Sequence, residues 1–506
     1  MGTWTRRMRA LFLVVAILGG GAGGAGAQVR GGTLRVGLDG EITTLDLPYQ
    51  TNAPEMVVFR AVFNTLVSID ASLKVVPELA ESWKWDNETT LTMKLRAGVK
   101  FHDGTDFDAA AVKFNIERLL DDATKSRLKS EVAEVKAIEV LDPHTVRFVL
   151  KYPNVAFLTS LGYTPGMMPS PTAIKKLGKD AARQPVGTGP FKFVEWLRDD
   201  HLTVERFDRY WDPGKPYLDR VIFKPMSDDT VRVLNLKSGA LEFADKIEPK
   251  DVAGIKSRRD LVYMESPGLN YIMIRIYMGK PPFDSKAVRQ ALAYSIDREA
   301  IVRSLFFGTA VVTSGPISPA SWAYSPTLKG YPRDIAKAKS LLASAGKAGG
   351  LKAELQVLPS PLYLQIAQAV KAQAAEAGID LSIVSLELGK LMDNSISGAY
   401  EAMLSYRTAR EDPDGATYRD FHSTGPFNRM KYNNPKVDEL LVKARMTAKV
   451  EERKALYLQI QQIVADDVPM VFIATLPTGQ AMTAKVKNFV HYPNMTVRLG
   501  DVWLEK

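Results

Sequence analysis

The spacing of apolar residues changes about halfway along the chain, across the stretch LVYMESPGLNYIMIRI at residues 261–276. Before it, short runs of alternating apolar residues are separated by turn residues, a pattern typical of half-buried strands. After it, apolar residues recur at three- and four-residue intervals over longer segments, which indicates amphipathic helices. The stretch itself predicts two short strand segments with a bend at Ser266-Pro267-Gly268. We therefore predict two lobes, with the chain crossing between them here.

The pattern before this crossover predicts a strand-rich region with a few helices. Trp83 to Trp85, the turn Asp86-Asn87-Glu88 and the alternation Leu91, Met93, Leu95 predict a hairpin. Asp106 or Asp108 suits the cap of a following helix. The predicted strands cover residues 34–38 and 145–150, and the predicted helices cover residues 52–66, 107–120 and 228–238.

The pattern after the crossover predicts helices that alternate with short strands, as in a mixed or parallel sheet covered by helices. Leu476-Pro477-Thr478-Gly479 follows a buried-type strand and predicts the return crossover. The predicted helices cover residues 286–306, 334–345, 362–377, 437–444 and 451–466, and the predicted strands cover residues 355–358, 379–384 and 470–473.

Two crossovers divide the chain into predicted units. The first lobe comprises residues 28–72, 185–266 and 478–506, and residues 73–184 form an extra subdomain within it. The second lobe comprises residues 267–477. A chain that crosses once, builds a lobe and crosses back leaves a cleft between its lobes, and we expect this cleft to bind a solute.

The first 27 residues predict a cleaved export signal. Arg6, Arg7 and Arg9 precede the apolar run LFLVVAIL, and Ala25-Gly26-Ala27 is a small-residue cleavage site. The run is shorter than the roughly 20 residues of a membrane-spanning helix, and the glycines that follow disfavour the alternative of a membrane anchor. We expect a mature, soluble protein that begins at Gln28 in a bacterial periplasm.

Composition narrows the classes of function. The chain has 506 residues, 46% hydrophobic and 24% charged, which is ordinary for a globular protein of two or three units. It has no cysteine, so disulfides, thiolate catalysis and Cys-ligated zinc are excluded. Without the three leader arginines the net charge of +9 becomes +6, scattered among acids. This favours a solvated basic surface over a nucleic-acid site.

Motifs for catalysis, metals and cofactors are missing from the sequence. It contains no G-x-S-x-G, no H-E-x-x-H and no phosphate-binding loop, and none of its five histidines lies at metal-ligand spacing from another. The acidic group Glu411-Asp412-Pro413-Asp414-Gly415 fits either a polar cluster at a cleft rim or an acidic surface turn. A glycosidase pair stays open, because its two carboxylates need not be close in sequence. Four aromatic residues fit either a pocket wall or a core: Tyr271, Trp322, Tyr406 and Tyr418.

Several motifs, in order over nearly the whole mature chain, resemble the peptide/nickel-type (family 5) solute-binding proteins of ABC importers, which include dipeptide- and oligopeptide-binding proteins. They are VFNTLV (62–67), PELAESWKWDNETTLTMKLRAGVKFHDGTDFDAAAVKFNIERL (77–119), PVGTGPFKF (185–193), VRQALAYSIDREAIV (288–302), AKSLLASAG (338–346) and KYNNPKVDELLVKA (431–444). The resemblance implies a large class II periplasmic-binding-protein fold, with two α/β lobes, an extra subdomain and two hinge strands. It also implies a monomer that binds a peptide or similar small solute and delivers it to permease subunits, without a cofactor.

The resemblance also implies where a ligand would bind. Peptide-binding relatives hold the α-ammonium with an aspartate at the position of Ala409. An alanine there, with Arg407 and Arg410 nearby, suggests an anionic or neutral ligand, although Asp412 can substitute for the missing carboxylate. An opine-like compound, a sugar or a metal chelate stays open beside a peptide, and a periplasmic hydrolase is the alternative function. We expect Tyr271 and Tyr406 as stacking walls and Asn52 and Arg407 as polar contacts, and the predicted ligand-binding set is Asn52, Tyr271, Trp322, Tyr406, Arg407, Asp412 and Tyr418.

Overall fold

A computed structural model of the protein describes residues 29–407 and 410–506. The predicted leader and Ala409 lie outside the described residues. One mixed sheet runs through both lobes, and its two long strands lie next to each other near the middle of the strand order. From the second lobe to the first, the strands lie in the order Ile379–Ser385, Leu351–Val357, Ala402–Arg407, Leu261–Ile276, Met470–Thr483, Phe243–Ala244, Thr33–Leu38, Arg220–Pro225, His201–Arg206 and Phe191–Leu197, and Val311–Val312 also pairs with Met470–Thr483.

The central pair, Leu261–Ile276 and Met470–Thr483, forms the two hinge strands that link the lobes. They pair antiparallel in both lobes, and Pro267 lies opposite Pro477 where the ladder of the first lobe ends. The register shifts before pairing resumes at Tyr271 opposite Thr475. The two predicted crossovers are thus confirmed, but the first is one long strand with two register shifts, between Pro267 and Tyr271 and between Ile272 and Met273, rather than two segments. Proline and glycine interrupt the ladder there without ending the strand.

The first lobe forms around parallel strands. Thr33–Leu38 pairs parallel with Arg220–Pro225 on one side and with Phe243–Ala244 on the other. Alternate residues of these strands bury apolar side chains, among them Leu34, Val36 and Phe223, and these pack against the first helix. The helices in this half of the chain are Ala53–Val62, Ala109–Leu120, Phe157–Ser160, Pro171–Leu177, Asp229–Ser238 and Pro249–Lys256, with short 3₁₀ turns at Leu47–Tyr49, Asp122–Thr124, Lys129–Glu131, Thr164–Gly166 and Gly178–Ala182.

A separate antiparallel sheet with its own core lies inside the range predicted as the extra subdomain. Its strands lie in the order Ala80–Asn87, Thr90–Leu95, Thr145–Leu150 and Val135–Asp142. The predicted hairpin is confirmed, because Ala80–Asn87 and Thr90–Leu95 are its arms. Asp108 caps the helix that covers this sheet by accepting a hydrogen bond from the Ala111 amide at 2.8 Å. The residue ranges of the lobes and of the subdomain stay a prediction.

The second lobe packs helices on a short mixed sheet. Its helices are Lys286–Ser295, Arg298–Leu305, Ile335–Ser344, Pro361–Glu376, Leu388–Ser397, Asp414–Phe421, Pro435–Met446 and Val450–Asp467. The helix predicted over residues 286–306 is two helices. Ile296 is extended, and Asp297 accepts a hydrogen bond from the Ala300 amide at 2.8 Å, which begins the second helix. The apolar periodicity continues through the break, so it predicted one helix.

Smaller strand pairs complete the fold. Val67–Ile69 pairs with Val75–Pro77, and Val486–Lys487 pairs with Trp503–Leu504 near the end of the chain. Throughout residues 29–407 and 410–506, no helix has the length and apolar character needed to cross a membrane.

Candidate functional site

A cleft of about 1900 Å³ lies between the two lobes. Its walls come from the first lobe, the antiparallel-sheet region, the second lobe and the hinge strands, represented by Asp39, Tyr163, Tyr406 and Thr478. The carboxyl ends of the parallel first-lobe strands lie at this cleft, and ligand sites in α/β proteins commonly lie at the carboxyl ends of the strands. The volume exceeds the roughly 300–1,000 Å³ of a typical small-molecule pocket.

The first-lobe wall carries two carboxylates at the ends of adjacent parallel strands. Asp39 follows Thr33–Leu38, and Asp245 follows Phe243–Ala244. The Asp39 amide donates a hydrogen bond to Asp245 Oδ2 at 3.3 Å. Burial, reinforced by the Asp39 carboxylate, raises the pKa of Asp245 to about 8. This wall therefore holds a carboxyl group that titrates near neutral pH.

Cations near these carboxylates are engaged with other groups. The fully buried Arg232 donates to the Asp229 carboxylate, to the Met226 carbonyl at 2.5 Å and to the Lys246 carbonyl at 3.3 Å. Lys246 Nζ lies 2.9 Å from Glu248 Oε1 and 3.7 Å from Asp39 Oδ2. These cations offset part of the negative charge without donating a hydrogen bond to Asp245.

The second-lobe wall is built on two buried ion pairs. Arg453 donates to both carboxylate oxygens of Asp412 at 2.6 and 2.7 Å. Arg445 does the same to Asp414 at 2.8 and 2.7 Å. Asp412 and Asp414 line the cleft but are only 7% and 5% exposed. The interpretation as an acidic surface turn is therefore wrong. Paired this way, the two carboxylates anchor the wall rather than form a glycosidase pair.

Two hydrogen bonds cross the cleft. Arg410 Nη2 donates to Glu131 Oε1 at 2.7 Å, and Thr159 Oγ1 donates to Asp412 Oδ2 at 3.4 Å. Within the second lobe, Arg407 donates to Asp420 Oδ2 at 2.8 Å, and the Arg407 side chain is 12% exposed. The two arginines that suggested an anionic ligand are thus already paired with protein carboxylates. Their presence alone gives no reason to prefer an anion.

Three arginines surround the ring of Phe427, which lines the cleft. The guanidinium carbons of Arg419, Arg407 and Arg429 lie 4.5, 5.0 and 5.8 Å from the ring centroid. Burial lowers the pKa of Arg419. The Glu131 carboxylate, whose Oε1 lies 3.9 Å from Arg419 Nη1, opposes this shift, and the like charges of Arg407 and Arg410 add to it. Arg419 and Arg429 line the cleft, so this part of the second-lobe wall is basic.

Asn52 lies on the cleft wall but is used within the protein. It caps the helix Ala53–Val62, because its Oδ1 accepts from the Glu55 amide at 3.1 Å and Glu55 reaches back to the Asn52 amide. Its Nδ2 donates to the Glu41 carbonyl at 3.0 Å. One side-chain amide hydrogen of Asn52 is left for a ligand.

The predicted aromatic residues divide between the cleft and the core. Tyr406, 48% exposed, and the half-buried Tyr418 line the cleft. The Tyr418 ring stacks on His422 at 4.4 Å and lies 3.3 Å from the Arg445 guanidinium carbon. Tyr271, 1% exposed, packs against Phe472 in the second-lobe core, and Trp322 packs against Tyr457. Stacking on a ligand does not fit the positions of Tyr271 and Trp322. The sequence left this choice open because both residues occupy strand or loop positions that suit either role.

Sequence reasoning missed several cleft residues. Asp39 and Asp245 carried a usable signal, since each follows a short apolar strand and carboxyl ends of parallel strands meet at one edge. Arg419, Phe427 and Arg429 lie on a helix and loop that the sequence did not predict. In the part of the chain that is described, no three His, Asp or Glu side chains gather as a metal site.

Comparisons with known proteins agree with this geometry. Residues 74–428 match the model of "Bacterial extracellular solute-binding proteins, family 5 Middle". Glutathione-binding protein GsiB of Escherichia coli strain K12 is 32% identical over 483 residues, which are 93% of this chain and 94% of GsiB.

Solved structures are similar over the same extent. ABC transporter-associated periplasmic binding protein DppA from Helicobacter pylori, in complex with the peptide STSA, is 28% identical with a TM-score of 0.77, over 94% of this chain and 99% of that one. The protein AgaA from A. tumefaciens R10, in complex with agropinic acid, is 29% identical with a TM-score of 0.76, over 94% and 99%. These likenesses confirm the predicted two-lobed α/β fold.

Proposed function

The chain belongs to family 5 of the bacterial extracellular solute-binding proteins, and from this membership we propose that it captures a peptide for an ABC importer. The observation that carries the proposal is the large cleft between two lobes joined by two hinge strands. A ligand that contacts both walls stabilises the closed arrangement only as far as it binds that arrangement better than the open one. Permease subunits then receive the loaded protein.

The polar groups on the two walls of the cleft support a zwitterionic ligand. The first-lobe wall presents Asp39 and Asp245, and the second-lobe wall presents Arg419 and Arg429 around Phe427. A peptide carries one group of each sign at its ends, and its side chains would pack on exposed aromatic surface such as Tyr406. GsiB is named for binding glutathione and DppA was solved with a peptide, and both support this class of ligand.

The cleft also supports binding without turnover. Two buried second-lobe carboxylates in its wall, Asp412 and Asp414, are each held by two charge-assisted hydrogen bonds from an arginine. A general acid or base needs an oxygen that can reach the substrate, and both oxygens of each carboxylate are occupied by an arginine. We propose a monomer exported to the periplasm after cleavage behind Ala27, as the leader sequence indicates.

Native mass spectrometry of the protein purified from its own periplasm tests this proposal directly. We expect a co-purified mass that corresponds to a short peptide, and a melting temperature that rises when the same synthetic peptide is added back. Binding at 100 times Kd adds about 2.7 kcal/mol to the free energy of unfolding. A peptide that disappears with time would indicate the hydrolase instead. A screen of peptides in which none shifts the melting temperature would refute peptide capture.

A further inference from the structure

Asp245 is a buried carboxyl group with an unused acceptor in the wall of the cleft. It is 4% exposed, and its Oδ1 has no hydrogen-bond partner within the residues that the structure describes. Its other oxygen accepts only a 3.3 Å hydrogen bond from the Asp39 amide. A buried carboxylate left in this state is unfavourable unless a donor reaches it.

The protein does not supply that donor from the neighbouring cations. Arg232 directs its guanidinium to Asp229 and to two carbonyl groups, and Lys246 pairs with Glu248. Asp39, which lines the same wall, has its nearest cation 3.7 Å away at Lys246. Two carboxyl groups on adjacent strand ends therefore face the cleft with unused capacity to accept hydrogen bonds.

We propose, building on the proposed function, that Asp245 together with Asp39 binds the primary ammonium group of the ligand at the first-lobe wall. An ammonium group brings three donors and one positive charge, which matches the unused Asp245 Oδ1 and the Asp39 carboxylate. A divalent metal is a poorer match, because the described side chains do not gather the three or more ligands that it needs.

This assignment fixes the direction in which a peptide lies. Its amino end would meet the first lobe, and its carboxylate would meet Arg419 and Arg429 across the cleft. A ligand of this kind touches both lobes through charged hydrogen bonds, so it favours closure more than one held by a single wall.

Ligand affinity should depend on pH through Asp245. The charged groups around it are Asp39 and Glu248, Asp229 and Arg232 on the neighbouring helix, and Lys246. With a pKa of about 8, Asp245 is mostly protonated in the free protein below that pH. A bound ammonium stabilises the ionised form, so binding releases a proton to solvent. Affinity then rises about tenfold per pH unit below pH 8.

Two peptide pools test the assignment. One contains tri- to pentapeptides without Lys, Arg or His, so that the amino terminus is the sole cation, and the other is the same pool after N-acetylation. Binding is measured by thermal shift and by mass spectrometry of retained peptides. We expect the wild type to prefer the free-amine pool at least tenfold, and Asp245→Asn and Asp39→Asn to lose that preference. Asp260→Asn, an exposed control in the same lobe whose carboxylate pairs with Arg258, should keep it.

A single retained peptide, measured at pH 5.5 and 6.5, gives a second readout while its own amine stays charged. The wild type should bind about tenfold more tightly at pH 6.5, and Asp245→Asn should be flat. Equal binding of acetylated peptides, or an unchanged preference in both Asn variants, would overturn the ammonium site. Failure of the wild type to bind either pool would refute peptide capture itself, which separates the two conclusions.

Discussion

Replacing Arg453 by methionine should strongly destabilise the second lobe. Arg453 lies on the last long helix, with a side chain 6% exposed, and donates to both oxygens of Asp412. It also donates to the Ala444 carbonyl at 2.9 Å and to the Tyr457 hydroxyl at 3.0 Å. Methionine fills a similar length with apolar atoms, so the change removes the charge and the donors while leaving much of the packing.

The size of the stability loss follows from the unpaired Asp412 that the substitution leaves in the protein. Asp412 would keep its negative charge at 9% side-chain exposure with no cation in contact, and breaking a buried pair in this way costs about 3–5 kcal/mol. For a cooperative unit of 150–250 residues, each kcal/mol lowers Tm by about 2–4 °C, so a fall of roughly 6–20 °C is expected. Adding Asp412→Asn removes the stranded charge, and the double variant should lose less than the single one.

Urea and thermal unfolding, followed by tryptophan fluorescence, measure this loss. The matched control is Lys449→Met, four residues earlier at the start of the same helix, whose ion pair with Glu452 has side chains 81% and 62% exposed. Exposed pairs of this kind contribute less than about 1 kcal/mol. If Arg453→Met cost no more than Lys449→Met, the reasoning that burial makes the Asp412 pair indispensable would be refuted.

Three further predictions concern packing, pH and binding. Gly189→Ala should lower the free energy of unfolding in urea by about 1–3 kcal/mol, because the new Cβ would lie 2.5 Å from the backbone of the first helix. The control Gly349→Ala has open space around it and should be neutral or slightly stabilising. Burial lowers the pKa of His102 to about 4, so the unfolded chain takes up a proton below pH 6.5 that the folded protein does not. The free energy of unfolding should therefore fall by about 1.4 kcal/mol for each pH unit between pH 6.5 and 4. His102→Gln should flatten this part of the Tm–pH profile, and an unchanged slope would contradict the prediction. Arg429→Gln should weaken a free-carboxylate peptide about tenfold relative to its amide in calorimetry, while the exposed Arg303→Gln should not, and equal losses in both variants would exclude Arg429 as a carboxylate contact.

The fold was predictable from sequence because local signals agreed with each other. The prolines and glycine near residue 267 marked the first crossover, and Asp108, Asp228 and Asp334 each cap a helix at its predicted start. The exceptions have local causes. Asp297 starts a new helix inside a continuous apolar stripe, and the helix Asp414–Phe421 begins within a group of acids and a proline that read as a turn.

The site was less predictable because its chemistry depends on partners distant in sequence. Asp412 looked like a contact for ligand, but Arg453, 41 residues later, neutralises it. Arg407 and Arg410 looked available, and Asp420 and Glu131 pair with them. Tyr271 lies in a strand at a position that suits either a cleft wall or a core, and in the structure its side chain packs on Phe472 in the core. Sequence spacing gives the side of a strand, whereas the element that covers that side is set by tertiary packing.

The paired prolines of the hinge strands have a mechanical consequence. Pro267 faces Pro477, and neither residue has an amide hydrogen with which to hold the other strand. Twisting the lobes about this point therefore breaks no ladder bond between the two residues, and the two strands are paired again on either side of it. The two strands approach closely at Gly268, because a Cβ atom there would lie 2.7 Å from the Thr478 side chain. Rotation of one lobe against the other can therefore concentrate at this unpaired point, so that closing the cleft does not require breaking ladder hydrogen bonds within either lobe.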